Sequence, residues 1–176
     1  MTENAEANRQ SSEVFQRIMI AVDESAAAAD AAHSGLRLAQ ALHAEVIFAT
    51  VVFIQIDDMA QYPAAQEEKR LAEARALLSG FVAQAANVGI KARSVVREGE
   101  PAPELLRAAE EEAVDLIVTG THGRRGVPRF FLGSVAEALA RQAPCPILLV
   151  REPVHRKGQI EHGTAAPSSA IGVLRE

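Results

Sequence analysis

With 176 residues, 48% of them apolar, the chain is long enough to bury one sizeable core and too short for two domains of ordinary size. Its net charge of −5 speaks against general affinity for nucleic acid or anionic membrane, so any anion site must be local. Aromatics make up 4% and Trp is absent, which leaves a core of Ala, Val, Leu and Ile suited to helices on a parallel sheet.

Residues 1–14 are polar and acidic, with no apolar stretch resembling a signal peptide, and no apolar run approaches the roughly 20 residues of a membrane helix. Together with a single cysteine, Cys145, this predicts a cytoplasmic protein. Residues 1–14 and 153–176 are expected to be flexible tails around one domain at 15–152.

The first strand is read from Arg17-Ile-Met-Ile-Ala-Val22, and it ends on Asp23. A helix with Leu36, Ala39 and Leu42 on one face follows, then a second strand, Val46-Ile-Phe-Ala-Thr-Val-Val52. The second helix starts near Pro63, places Leu71, Ala74, Leu78, Phe81 and Ala85 on one stripe, and stops around Asn87 and Gly89. The third strand, 90–96, alternates polar and apolar residues as an edge strand does. A third helix is predicted from Pro101 to Glu112, a fourth strand from Leu116 to Thr119, a fourth helix from Ser134 to Gln142 and a fifth strand from Ile147 to Val150. Pro144-Cys145-Pro146 separates the last two and makes Cys145 a small structural side chain. The order predicts an α/β fold, a doubly wound five-stranded parallel sheet with helices on both faces. In such a sheet, ligands bind beyond the carboxyl ends of the strands, where the strand order reverses.

The strongest motif joins the fourth strand to the last helix: Gly120-Thr-His-Gly123-Arg-Arg-Gly-Val-Pro-Arg-Phe-Phe-Leu-Gly133-Ser134. It is neither a Walker loop nor a dinucleotide fingerprint. Glycines at 120, 123 and 133 are expected to adopt positive φ and admit a ligand to the backbone, and their N–H groups can form an anion nest. Gly133-Ser134 opens a helix whose first N–H groups lack partners, a natural phosphate site. Arg124, Arg125 and Arg129 add three positive charges with no acidic residue between 121 and 132. Ser134-Val-Ala-Glu137 also has the S-x-x-E pattern of a capping box, a role compatible with phosphate binding. Asp23 can orient a ribose hydroxyl, help hold Mg²⁺ through water, or cap the following helix. His122 is read as shaping the loop, because no supporting residue for a general base is evident. His33, His43, His155 and His162 show no metal-ligand spacing.

The segment from Asp115-Leu-Ile-Val-Thr-Gly-Thr-His-Gly123 through Leu132-Gly-Ser-Val-Ala-Glu137 to Ala143-Pro-Cys-Pro-Ile-Leu-Leu-Val150 resembles the universal stress protein family. Arg17-Ile-Met-Ile-Ala-Val-Asp23 resembles that family's opening strand, and Val95-Val-Arg-Glu-Gly99 its third-strand exit. The resemblance implies the ATP-binding subclass, with ATP, ADP or AMP as ligand and Mg²⁺ accompanying it. It places the base and ribose on Ala21, Val22 and Asp23, the adenine beside Val51, and the phosphates on Gly120, Gly123, Arg124, Gly133, Ser134 and Val135. It also implies a homodimer through the last strand. The function expected is that of a nucleotide-binding regulator of stress response with at most slow ATP hydrolysis. The alternative is a dimeric interaction protein of the same fold that does not use nucleotide.

Overall fold

The structure is a computed structural model that describes residues 15–53, 64–121 and 132–151. Among these, the chain forms β1 (Arg17–Ala21), α1 (Ala26–Leu42), β2 (Glu45–Val52), α2 (Ala64–Asn87), β3 (Ala92–Glu98), α3 (Pro101–Glu111), β4 (Leu116–Gly120), α4 (Ser134–Gln142) and β5 (Ile147–Val150). The strands pair in parallel in the order β3-β2-β1-β4-β5. This is the doubly wound sheet expected from the alternation of apolar runs and helical periods.

Strand pleating explains the composition of those runs. Ile18, Ile20, Val46, Phe48, Leu116 and Val118 point to one face, under α1 and α2. Met19, Ala21, Ile47, Ala49 and Ile117 point to the other, with Leu105 and Ala108 of α3 and Leu139 of α4. Because both faces are covered, successive residues must be apolar, which is why the central strands show no alternation. No helix among the described residues is long and apolar enough to cross a membrane.

β3 is an edge strand, as its polar alternation predicted, but it runs from Ala92 to Glu98 rather than from 90 to 96. Gly89, at φ 74°, turns the chain after α2, and the Ile90 N–H donates back to the Ala85 carbonyl at 3.0 Å. Ile90 and Lys91 therefore belong to the turn. The polar positions of β3 are used on the α3 side, where Arg93 pairs with Glu112 and Arg97 with Glu111. The Arg93 guanidinium holds the Glu112 carboxyl below the usual range against the opposing effect of burial.

Asp115 levels the sheet. Its carboxylate accepts from the backbone N–H of Gln16 at 2.8 Å and of Arg17 at 3.1 Å, tying the entry of β1 to the entry of β4. Arg17 in turn donates to the carbonyls of Glu112 at 2.7 Å and Ala113 at 3.2 Å, closing the end of α3. Ala113 holds φ at 47°, a left-handed conformation disfavoured for a residue with a Cβ. Ala113→Gly is therefore expected to stabilise the protein by about 0.5–1 kcal/mol, and chemical denaturation of the two proteins checks it. A glycine variant less stable than the parent would mean that the Ala113 methyl group contributes more than its backbone strain costs.

Candidate functional site

The order of the strands reverses between β1 and β4. On the face carrying α3 and α4, the two helices pack on each other and on the sheet, so that Met19 of β1 and Ile117 of β4 are covered along the seam. In a doubly wound sheet the ligand crevice is expected beyond this cover, at the carboxyl ends of the two strands. Register places Ala49, Ala21 and Thr119 side by side across the three central strands. Ala21 and Thr119 are each 7% exposed, whereas Met19 and Ile117, one row deeper, are fully buried. The row of Ala21 and Thr119 thus lies nearer the carboxyl ends, where such a crevice would have its floor.

One wall is the start of α4. The Gly133 N–H donates to the Thr121 carbonyl at 2.9 Å, and the Thr121 N–H donates to the Val150 carbonyl at 2.9 Å. The motif loop accordingly leaves and rejoins the sheet at one point beyond β4. Gly133 is the N-cap of α4 with φ −64° and ψ 150° and provides no side-chain cap. The N–H groups of Ser134, Val135 and Ala136 have no partner among the described residues. The positive end of the α4 dipole therefore faces the crevice unserved, an arrangement that can hold an anion.

Two expectations about this segment are corrected. The capping box does not form: Ser134 is the first helical residue, since the extended conformation a cap requires is taken by Gly133. The Glu137 carboxylate turns instead to Arg141 at 3.0 Å, and the exposed Ser134 hydroxyl has no partner among the described residues. The expected positive φ is also absent, at Gly133 and at Gly120. Gly120 remains within β4, and its hydrogen faces α1. A Cβ there would lie 2.9 Å from the Ala27 carbonyl oxygen and 3.0 Å from its carbon, so close helix–strand approach accounts for this glycine. Gly123 and Arg124, with His122, Arg125 and Arg129, lie outside the described residues.

Ala21, Val51 and Val135 belong to one apolar cluster on the α3–α4 side of the sheet. Val22 does not join them. Its N–H extends the sheet to the Ala49 carbonyl at 2.9 Å, while its side chain is buried against α1 and α2 on the opposite face. Asp23 follows at the lip, half-buried. One of its carboxylate oxygens accepts from the Ser25 N–H at 2.9 Å and from the Ser25 hydroxyl. Ser25, not Asp23, caps α1, accepting from the Ala28 N–H at 3.2 Å. Asp23 thus braces the cap and places negative charge at the start of α1, whereas the start of α4 carries no side-chain cap. The other Asp23 oxygen carries no hydrogen bond among the described residues.

The sequence reading overlooked Thr119 and Thr121, which are 7% and 2% exposed at the end of β4. Their signal was available, since two hydroxyls flank a glycine at the end of an otherwise apolar run, Leu116-Ile-Val118. Cys145 packs at the edge of the lower core, and burial, with the nearby charge of Asp115, pushes its thiol up against the opposing backbone N–H of Ile117. Such a thiol is a poor nucleophile. Among the described residues no cluster of three or more His, Cys, Asp or Glu could hold a metal ion.

Comparison with known proteins gives a consistent picture. The universal stress protein family profile matches residues 15–151. A universal stress protein of Methanocaldococcus jannaschii is 31% identical over 150 residues, spanning 82% of this chain and 87% of that one. The structure of the universal stress protein from Archaeoglobus fulgidus in complex with dAMP aligns with a TM-score of 0.60 at 21% identity, over 78% of this chain and 98% of that one. A family member from Arabidopsis thaliana with AMP bound aligns with a TM-score of 0.59 at 14% identity, over 82% and 96% of the two chains.

Proposed function

Since the chain belongs to the universal stress protein family, we propose that it is a nucleotide-binding regulator that takes ATP, or ADP or AMP, in the crevice between β1 and β4, with at most slow hydrolysis. The observation that carries this reading is the start of α4, where three consecutive N–H groups and the Ser134 hydroxyl have no partners among the described residues. Phosphates bind there, helped by Gly123 and Arg124 of the loop. The base lies against Ala21 and Val51, which share the crevice face, and Asp23 takes a ribose hydroxyl. The adenine nucleotides held by the structurally similar proteins support the choice of ligand.

Mg²⁺ accompanies the nucleotide in this reading. The described residues include no protein-only metal site, and Mg²⁺ needs none, since one carboxylate, phosphate oxygens and water suffice. The second oxygen of Asp23 is the described group that fits. The reading further takes residues 15–152 as one domain in a cytoplasmic homodimer. β5 supports the dimer: among the described residues it pairs only with β4, at the sheet edge, and Leu148 is 37% exposed. An apolar edge of this kind is covered most simply by a second copy of itself.

A second reading, a dimeric interaction protein that uses no nucleotide, is favoured by one observation. The contact of Gly120 with Ala27 explains a motif glycine without any ligand. One experiment separates the two. Mass spectrometry of freshly purified protein is expected to find a released adenine nucleotide, and calorimetric titration of ATP is expected to show Gly133→Val at least about tenfold weaker than the parent, the equivalent of one charged hydrogen bond. Equally weak binding by both proteins would establish the second reading.

A further inference from the structure

Thr119 has a hydroxyl with no close hydrogen-bond partner among the described residues. Its side chain alternates with Gly120 and lies on the crevice face, beside Ala21 of β1 and Leu149 of β5. It is 7% exposed, yet among the described residues its hydroxyl reaches only the neighbouring Gly120 carbonyl at 3.5 Å, beyond the roughly 2.5–3.0 Å of a formed O–H···O bond. The surroundings on this face are apolar, with Ala21, Val135, Leu139 and Ile147 in the same layer. Burying a hydroxyl there without a partner is unfavourable, and valine would continue the run Leu116-Ile-Val118 at the same volume without that penalty.

Position along the strand indicates what the hydroxyl is for. The α4 N–H groups stand at the level of Thr121, whose carbonyl holds the Gly133 N–H. Thr119 lies two residues, ~7 Å, deeper along the strand direction. A ligand with its phosphates at α4 and its remaining half in the crevice would bring a polar edge to this floor. We propose that the Thr119 hydroxyl hydrogen-bonds the nucleoside half of the bound nucleotide and is a specificity residue of the site. A hydroxyl can donate and accept at once, so it matches a ring nitrogen, an exocyclic amine or a ribose hydroxyl. This assignment rests on the nucleotide-binding reading.

The test compares the parent protein with Thr119→Val, Thr119→Ala, Thr119→Ser and Ser134→Ala by calorimetric titration with ATP and with adenosine. The Val and Ala variants are expected to weaken both ligands by the same factor, about 5- to 10-fold, with Ser within about twofold of the parent. Ser134→Ala is expected to weaken ATP and leave adenosine unchanged. The unfolding midpoint of ligand-free Thr119→Val should equal or exceed that of the parent, because no formed hydrogen bond is lost. A Val variant that binds both ligands like the parent, or one that is destabilised in proportion to its lost affinity, overturns the assignment while leaving the nucleotide reading intact. A parent protein that binds neither ATP nor adenosine overturns both.

Discussion

Gly120→Val is expected to destabilise the protein by about 2–3 kcal/mol, the range of an overpacked core site, and to lower its thermal midpoint by roughly 10 °C. The obstruction is backbone. A Cβ at residue 120 would meet the carbonyl oxygen, carbon and Cβ of Ala27 at 2.9–3.0 Å, and none of these can rotate away as the tip of a long side chain could. Ala27 lies in the first turn of α1, held by the Ser25 cap and the Asp23 brace, so either the helix or β4 must move. Gly133→Val should behave differently. Its backbone sits at φ −64° and ψ 150°, a region open to any residue, and its thermal midpoint should stay within a few degrees of the parent. Thermal unfolding of both variants without nucleotide checks the pair. If Gly120→Val were as stable as the parent, the close approach of α1 to β4 would be wrong. Affinity losses in Gly120 variants must accordingly be measured well below their midpoints before they are credited to the ligand.

Phe48→Ala should have the largest effect on stability, about 3–5 kcal/mol. Phe48 is fully buried at the centre of β2, a strand paired on both sides, and its ring stacks on Phe81 of α2 with centroids 5.3 Å apart and planes 23° from parallel. In a chain with only 4% aromatics, few other side chains fill comparable volume. The small residues around it, including Ala28, Ala32 and Ala85, cannot collapse far enough to close the resulting cavity. Urea denaturation should show a lower midpoint with an unchanged slope. A loss below about 1 kcal/mol would mean that α2 re-docks on the sheet, and its contact with β2 would then be less rigid than the structure shows.

Much of this architecture was legible from residue order. Near-continuous apolar runs marked strands covered on both faces, and the mixed run that became β3 marked an edge, though its start was misplaced by two residues. That error came from Ile90, whose apolar side chain reads as strand while its N–H is committed to the preceding helix through the Gly89 turn. The helix at Pro101 was placed correctly at its start and one residue long at its end, where Glu112 is already the cap. At the site, the start of α4 was read correctly as an open helix end, but Ser134 was assigned a capping role that the structure gives to Gly133.

What the sequence determined by itself is whatever local chemistry encodes: strand and helix periods, the acid-free basic loop, the hydroxyl and glycines at the helix start, and hence a candidate anion site on a parallel sheet. Only the tertiary structure could decide which glycine serves packing, which valine lies on which face of the sheet and which threonine stands beside Ala21. Gly120 is explained by Ala27, Thr119 is aligned with Ala21 by strand register, and Val22 and Val51 are separated by the parity of the pleat. Each of these depends on contacts between segments far apart in the chain. Side-chain periodicity records that a residue is buried, and register alone decides beside what.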